Sequence, residues 1–234
     1  MPAAIATTTM TTTMTKPPDA SLIRLLAWLS PAFPTGAYAY SHGLEWAVEA
    51  GDISSESSLQ SWLADVLAHG AARSDAILLR HAHRATRFEE LAAIAELAAA
   101  MAPSGERQAE TLAQGNAFAS AARVWGPSLL EGLAGRIAYP VAVGAIAAAH
   151  GIAEDPACGG FLQAFTANLV SAAVRLVPLG QTAGLRVLAA LEPVVLGLAA
   201  ETASASLDDL GGACFRSDIA AMRHETQYTR LFRS

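Results

Sequence analysis

Apolar side chains recur at helical spacing along most of this chain. The first run consists of four leucines, Leu22, Leu25, Leu26 and Leu29. They fall at positions i, i+3, i+4 and i+7, which places them on one face of a helix. Strand-like alternation of apolar and polar residues is almost absent. Further stripes of the helical period are Leu59, Trp62, Leu63, Val66 and Leu67; Thr111, Gly115, Phe118, Ala122 and Trp125; and Leu188, Leu191, Val195 and Leu198. The periodicity predicts an all-α protein.

Helix start and stop signals divide the chain further. Pro31 and Pro34 end the first helix, and a second helix can run from near Ala37 to Gly51. Capping boxes at 57–60 and 86–89 each indicate a helix start, and the second of these helices can run through Met101. A further helix is predicted over 106–125, and another begins with Asp155 as N-cap and Pro156 in the first turn. A break at 178–180 precedes a last long helix, which Pro193 can kink. Together these signals predict a single-domain bundle of roughly eight to ten helices.

Composition supports this interpretation and limits the function. Apolar residues make up 53% of the 234 residues but aromatic ones only 6%, because alanine, the best helix former, dominates. The net charge is −6, and Lys16 is the single lysine, so nucleic-acid binding is not expected. Cys158 and Cys214 are typical of two free thiols in a reducing compartment. Residues 1–19 lack the features of a secretory signal and are interpreted as a disordered N-terminal tail.

A membrane location is not expected either. The longest apolar run, residues 137–149, is too short to span a bilayer and contains Pro140. We therefore expect a cytoplasmic protein with an all-helical domain over residues 20–215 and a C-terminal tail over residues 216–234.

Signatures of catalysis are missing from the sequence. It contains no GxSxG elbow, no SxxK, no HExxH and no phosphate-binding glycine loop, so neither an enzyme nor a nucleotide-binding protein is expected. His81 and His83 are two positions apart and would lie on different faces of a helix, which disfavours a shared metal ion. His42 and His224 are the candidates for a transient or shared metal ligand.

Two segments depart from the pattern of a plain helical core. Residues 30–45, here called the glycine–tyrosine corner, hold two prolines, two glycines, two tyrosines and a histidine. Such a loop suits a binding surface, because tyrosine combines apolar area with a hydroxyl group, although a rigid turn that caps the core explains it equally well.

The C-terminal tail, residues 216–234, is the second unusual segment. It carries a net charge of +2 on a body of −8, and Tyr228, Leu231 and Phe232 are spaced like one apolar helical face. A basic, aromatic segment of this kind can become ordered against a partner, or it can form a last helix docked on its own core.

Both segments carry a resemblance to a known family. The run SPAFPTGAYAYSHGLEWAVEAG is similar to the N-terminal signature of UreF proteins, SPxxPxGxxxYSxGLExAVxxG, and DIAAMRHETQYTRLFRS resembles the family's ending. Matches between them are Glu106-Arg107 through Gly115-Asn116-Ala117-Phe118, Pro140-Val141 with Gly144, and Pro178-Leu179-Gly180-Gln181. The chain departs from the family pattern at Ala39, His42 and Cys214-Phe215. On these motifs the chain is identified as a member of the UreF family.

The resemblance implies an all-α, dimeric, non-catalytic protein that acts in urease maturation. It would bind the accessory protein UreD (also called UreH) and the GTPase UreG, in a complex that inserts nickel into apo-urease at the expense of GTP. No cofactor would be bound by the chain itself, since the complex handles nickel and the partner binds GTP. By matching positions, the partner-binding residues would be Pro34, Gly36, Tyr38, Tyr40, Ser41, Gly43, Glu45, His224, Glu225, Arg230, Leu231, Phe232 and Arg233.

These implications lead to one main hypothesis. Arg230, Leu231 and Phe232 would anchor near Tyr38, and the two segments together would form a surface that recruits the GTPase. Two alternatives stay open. In one, Arg230, Arg233 or Gln181 acts in trans on GTP hydrolysis; in the other, the protein is a nickel-binding chaperone.

Overall fold

The structure is a computed structural model that describes residues 20–133 and 135–234. The predicted N-terminal tail, residues 1–19, lies outside the described residues. Within them the prediction of an all-α fold is confirmed, because there are α-helices and short 3₁₀ turns but no strands. The helices are α1 Ala20–Trp28, α2 Leu44–Glu49, α3 Glu56–His69, α4 Ala71–Arg84, α5 Phe88–Ala100, α6 Gly105–Ala122, α7 Tyr139–Ala149, α8 Glu154–Leu176, α9 Gly180–Glu201 and α10 Phe215–His224.

Helix α7 lies at the centre of the bundle, between α4 and α6. Every residue from Pro140 to Ala147 is buried. Two glycines allow this close packing. A Cβ atom on Gly144 would lie 2.1 Å from the carbonyl oxygen of Leu79, and one on Gly115 would lie 2.0 Å from that of Ile137. Helices α8, α9 and α3 pack on one another beside this centre.

The two longest helices are apolar as well as long. By length and composition alone, Glu154–Leu176 and Gly180–Ser204 could each cross a membrane. The most apolar window of the first is 50% buried and that of the second 33%. Core helices of soluble proteins pass the same test, so this is weak evidence for a membrane location.

Several predicted helix boundaries were wrong. The second helix does not begin at Ala37; residues 37–39 form a 3₁₀ turn, and α2 begins only at Leu44, because His42 and Gly43 adopt positive φ angles of 58° and 76°. The first capping box lies at Ser55 and Ser58, not at 57–60.

The other boundary errors have the same origin. In the second box Glu90 accepts from the backbone N–H groups of Thr86 and Arg87, so α5 begins at Phe88. Asp155 lies inside the first turn of α8, whose N-cap is Ala153. A capping residue adjacent to another polar residue leaves the start ambiguous by one or two positions.

The C-terminal tail contains a helix and an irregular segment. Helix α10 ends at His224, and residues 225–234, here called the closing segment, are not helical. The interpretation of Tyr228, Leu231 and Phe232 as one apolar helical face was therefore wrong: Tyr228 and Leu231 are exposed, whereas Phe232 is buried.

Candidate functional site

The glycine–tyrosine corner turns the chain from α1 into α2. Gly36 has a φ of 74°, and two consecutive positive φ angles at His42 and Gly43 redirect the backbone. At Gly43 a Cβ atom would lie 2.5 Å from the backbone nitrogen of Ala221, so α10 can approach only because this residue has no side chain. The corner is thus shaped to receive the end of the chain.

The closing segment docks on this corner through the backbone. The N–H of Arg233 donates to the carbonyl oxygen of Ala39 at 2.8 Å, and the N–H of Ser41 donates to that of Ser234 at 2.8 Å. The hydroxyl group of Ser41 donates to the same oxygen of Ser234. These bonds pair residues about 190 positions apart in the sequence.

Glu45 holds the closing segment from below. Its carboxylate accepts the backbone N–H groups of Leu231 at 2.6 Å and Phe232 at 2.9 Å. A third contact joins it to Nε2 of His224 at 3.2 Å. Glu45 is 8% exposed and His224 is fully buried, so these are hydrogen bonds to a charged acceptor with little competing water.

The start of α6 provides the next contacts. One oxygen of Glu106 lies 2.6 Å from Nδ1 of His224, and the other accepts from the Arg230 guanidinium at 2.6 Å. The Glu225 carboxylate in turn accepts the backbone N–H of Glu106 at 3.2 Å, at the helix end where free N–H groups favour an anion.

Glu110, one turn further along α6, is the most buried carboxylate of the group. It accepts from the Ser234 hydroxyl at 2.6 Å and the Gln114 amide at 2.9 Å, and it pairs with Arg107. His42 Nε2 lies 2.7 Å from its second oxygen. Burial alone would raise the pKa of Glu110, but the nearby Arg107 and His42, each of which also donates a hydrogen bond to it, lower the pKa to about 2. Burial and Arg107 lower the pKa of His42, so this ring is neutral and donates.

Arg175 of α8 connects both segments from the side. Its guanidinium lies 4.3 Å from the ring centroid of Phe232 and donates to the carbonyl oxygen of Tyr38 at 2.9 Å. The Phe232 ring is buried by this stacking while its neighbours stay exposed.

The structure brings the predicted site residues together and sorts them by exposure. Gly36 is half-buried. The residues at the surface are Pro34, Tyr38, Glu225, Arg230, Leu231 and Arg233, and those in the interior are Tyr40, Ser41, Gly43, Glu45, His224 and Phe232. The interior group can influence a partner only through the position of the closing segment. The exposed group, here called the tail surface, is available for direct contact.

Sequence reasoning missed the residues that hold this arrangement. Glu106 and Arg107 had been noted only as part of a motif, and Glu110, Gln114 and Arg175 not at all. Spacing could have indicated Glu110, since an acid one turn after Glu106 and i+3 from Arg107 invites an ion pair. No local signal marks Arg175.

Metal binding receives no geometric support in the described part of the chain, where no group of three His, Cys, Asp or Glu side chains could hold an ion. The two candidate histidines are engaged elsewhere, His42 with Glu110 and His224 with Glu45 and Glu106. His81 and His83 each contact a backbone carbonyl oxygen.

Fold and site together define a class. It is an all-α protein whose closing segment is hydrogen-bonded to the glycine–tyrosine corner and to a cluster of largely buried glutamates beside it. Comparison with known proteins identifies the family. A protein-family model described as UreF matches residues 53–192, more than half of the chain. The urease accessory protein UreF of Rhodopseudomonas palustris strain TIE-1 is 55% identical over 224 residues, which cover 92% of this chain and 93% of that protein.

Two further relatives of the same name are equally similar. That of Xanthobacter autotrophicus strain Py2 is 56% identical over 222 residues, covering 92% of this chain and 91% of the relative. That of Methylobacterium radiotolerans is 53% identical over 228 residues, which cover 93% of this chain and 100% of the relative. The chain belongs to the UreF family of urease accessory proteins, and it is an accessory protein and not a catalytic enzyme.

Proposed function

We propose that this protein is a cytoplasmic scaffold of urease maturation. It binds UreD (UreH) and recruits or regulates the GTPase UreG, in the complex that inserts nickel into apo-urease. The complex handles nickel and the partner binds GTP, while the chain itself holds no cofactor. Family membership supports the setting, and the tail surface supports the mode of action.

The tail surface has the composition of a protein-binding site. Tyr38 is 71% exposed and Leu231 66% exposed, and the side chain of Arg233 forms no ion pair or hydrogen bond within the described residues. Tyrosine and arginine are the residue types that most often carry binding energy at interfaces. An exposed cation on a protein of net charge −6 favours an acidic partner surface.

The test substitutes exposed side chains and leaves the buried contacts intact. A Leu231→Ala, Arg233→Ala double variant should lose capture of UreG by the complex with UreD, with far-UV circular dichroism and unfolding midpoint unchanged. A Leu129→Ala, Arg136→Ala variant is the matched control, since these two residues are exposed elsewhere on the protein. Equal capture of the GTPase by the wild-type protein, the double variant and the control variant would refute the proposal.

Direct action on GTP hydrolysis is a second candidate, and the geometry favours one residue for it. Arg230 is paired with Glu106, whereas the Arg233 guanidinium has no partner among the described residues and can reach another protein. An arginine supplied in trans accelerates hydrolysis about 10³-fold or more. Single-turnover hydrolysis by UreG, with wild-type protein and with Arg233→Lys, separates this candidate from plain recruitment, because a lysine cannot replace the bidentate guanidinium.

A dimer is the third element of the proposal, and α9 supports it. Leu185 is 67% exposed and Leu196 61% exposed, and they share an outward face with Ala189 and Ala200, interrupted by Glu192. Large apolar side chains aligned on one exposed helix face are typical of interfaces. Leu185→Arg with Leu196→Arg should halve the mass measured by light scattering; an unchanged mass would place the interface elsewhere.

A further inference from the structure

A large cavity lies between α1, the glycine–tyrosine corner and α8, behind the tail surface. Its volume of about 540 Å³ is in the range of small-molecule sites. One wall is apolar, with Leu25, Leu26 and Leu29 of α1 facing Phe161 and Phe165 of α8. The sequence placed these leucines on one helical face together with Leu22, yet Leu22 and Leu26 are more than half exposed. Leu26 lines the cavity, so apolar surface at this site is left exposed by the part of the chain that the structure describes.

The floor of the cavity is polar and charged. It is formed by His42 from the corner, Asp75 of α4, and Arg107, Glu110 and Gln114 of α6. Glu110 is fully occupied by Arg107, His42, Gln114 and Ser234, and burial with Arg107 keeps His42 neutral. When Asp75 is ionised, two carboxylates and one guanidinium leave one negative charge in excess on the floor.

Asp75 is the group that carries this unbalanced charge. Within residues 20–133 and 135–234 its carboxylate forms no hydrogen bond and no ion pair. It also lines a second cavity of about 150 Å³, which it shares with Asp218 of α10, and that carboxylate is likewise without a partner in the described chain. Both carboxylates are half-buried. A half-buried acceptor without a protein partner loses part of its hydration and gains free energy from a ligand that donates to it.

We propose that the larger cavity binds an amphipathic organic cation, with an ammonium group paired to Asp75 and an apolar body packed between α1 and α8. The apolar wall and the negative floor match the two halves of such a ligand. A free amine and the lysine side chain of a partner protein both offer this chemistry.

Calorimetric titration of the full chain with n-hexylamine tests the proposal. We expect saturable binding, weakened by at least about tenfold with hexan-1-ol and lost with hexanoate, because only the ammonium ion pairs with the carboxylate. Asp75→Asn should weaken hexylamine binding by at least about tenfold, whereas Asp65→Asn, at an exposed site on α3, should leave it unchanged.

The pH dependence gives an independent signature. Burial raises the pKa of Asp75 to about 7, against the lowering effect of Arg107 and with a small contribution from Glu110. Hexylamine should therefore bind more tightly at about pH 8 than at about pH 6. Binding at about pH 6 should release a proton, because Asp75 is then largely protonated in the free protein, and both effects should vanish in Asp75→Asn.

A second variant tests the cavity in case Asp75→Asn does not fold. Ala164→Phe fills the cavity from α8 while Asp75 stays in place, so it should abolish binding and leave helicity intact. Hexan-1-ol binding as tightly as hexylamine, or an Asp75→Asn variant with wild-type affinity, would overturn the proposal. The ammonium group could come from a free amine or from a lysine of a partner protein, and capture of UreD and UreG by Asp75→Asn distinguishes the two. Loss of capture indicates a partner lysine. Retained capture together with lost amine binding indicates a free amine.

Discussion

The dependence of the closing segment on Glu45 yields a quantitative prediction. One carboxylate accepts the N–H groups of Leu231 and Phe232 and contacts the ring of His224. Glu45→Gln keeps the shape of the side chain but removes the charge, and its amide nitrogen would face donors where an acceptor is needed. The closing segment should then detach more often from the corner.

The magnitude follows from the hydrogen bonds that are lost. Bonds to a charged acceptor contribute about 1.5 to 3 kcal/mol each, and a neutral glutamine can replace part of them with bonds of about 1 kcal/mol. We expect the free energy of local opening to fall by about 2 to 4 kcal/mol, which corresponds to roughly 30-fold to 1,000-fold faster amide exchange.

Hydrogen exchange at the amides of Leu231 and Phe232 measures this directly. Amides of the central helix α7 serve as an internal reference, since they exchange by global unfolding. Trypsin cleavage after Arg230 should accelerate in parallel. Glu96→Gln, an exposed position on α5, is the control. Wild-type exchange rates at both amides in Glu45→Gln would refute the view that this carboxylate holds the closing segment.

Three further predictions concern stability, each measured by denaturant unfolding. Gly43→Ala should cost about 2 to 4 kcal/mol more than Gly36→Ala, because both residues have positive φ but only at Gly43 would the Cβ atom meet backbone, 2.5 Å from Ala221; equal costs would contradict this. The lowered pKa of Glu110 contributes stability above pH 4.5, about 3 kcal/mol of which should be lost as the pH falls toward 2; Glu110→Gln should remove this part of the pH dependence. The raised pKa of Asp75 has the opposite sign, since its ionisation destabilises the fold as the pH rises from 3.8 to 7. Asp75→Asn should therefore stabilise the protein by up to about 4 kcal/mol at pH 8 and by about 2 kcal/mol at pH 5.

The position of the buried charges shows where prediction from sequence stops. The sequence pattern predicts Glu106 and Glu110 to be ordinary polar residues of an amphipathic helix, because exposed acids are common on such helices. Their partners His224, Arg230 and Ser234 are between 118 and 124 positions away. No pattern within a helix indicates which distant segment will lie across it.

The exposure of the tail surface is a similar case. Sequence alone made Tyr38, Leu231 and Phe232 equivalent candidates for contact with a partner. Only packing against Arg175 separates the buried Phe232 from the exposed Leu231 beside it. A backbone in extended conformation points successive side chains to opposite sides, but which side is solvent depends on the neighbouring helix.

The sequence by itself determined the helices, the breaks between them and the two unusual segments, because helix periodicity, proline and glycine act over a few residues. Tertiary structure alone decided that the closing segment is held by Glu45, Glu49, Glu106 and Glu110. It also decided that, within the described residues, Leu22 and Leu26 stay exposed and Asp75 faces a cavity without a partner. Burial and charge pairing depend on which elements meet in space, and elements more than a hundred residues apart leave no local trace of their meeting.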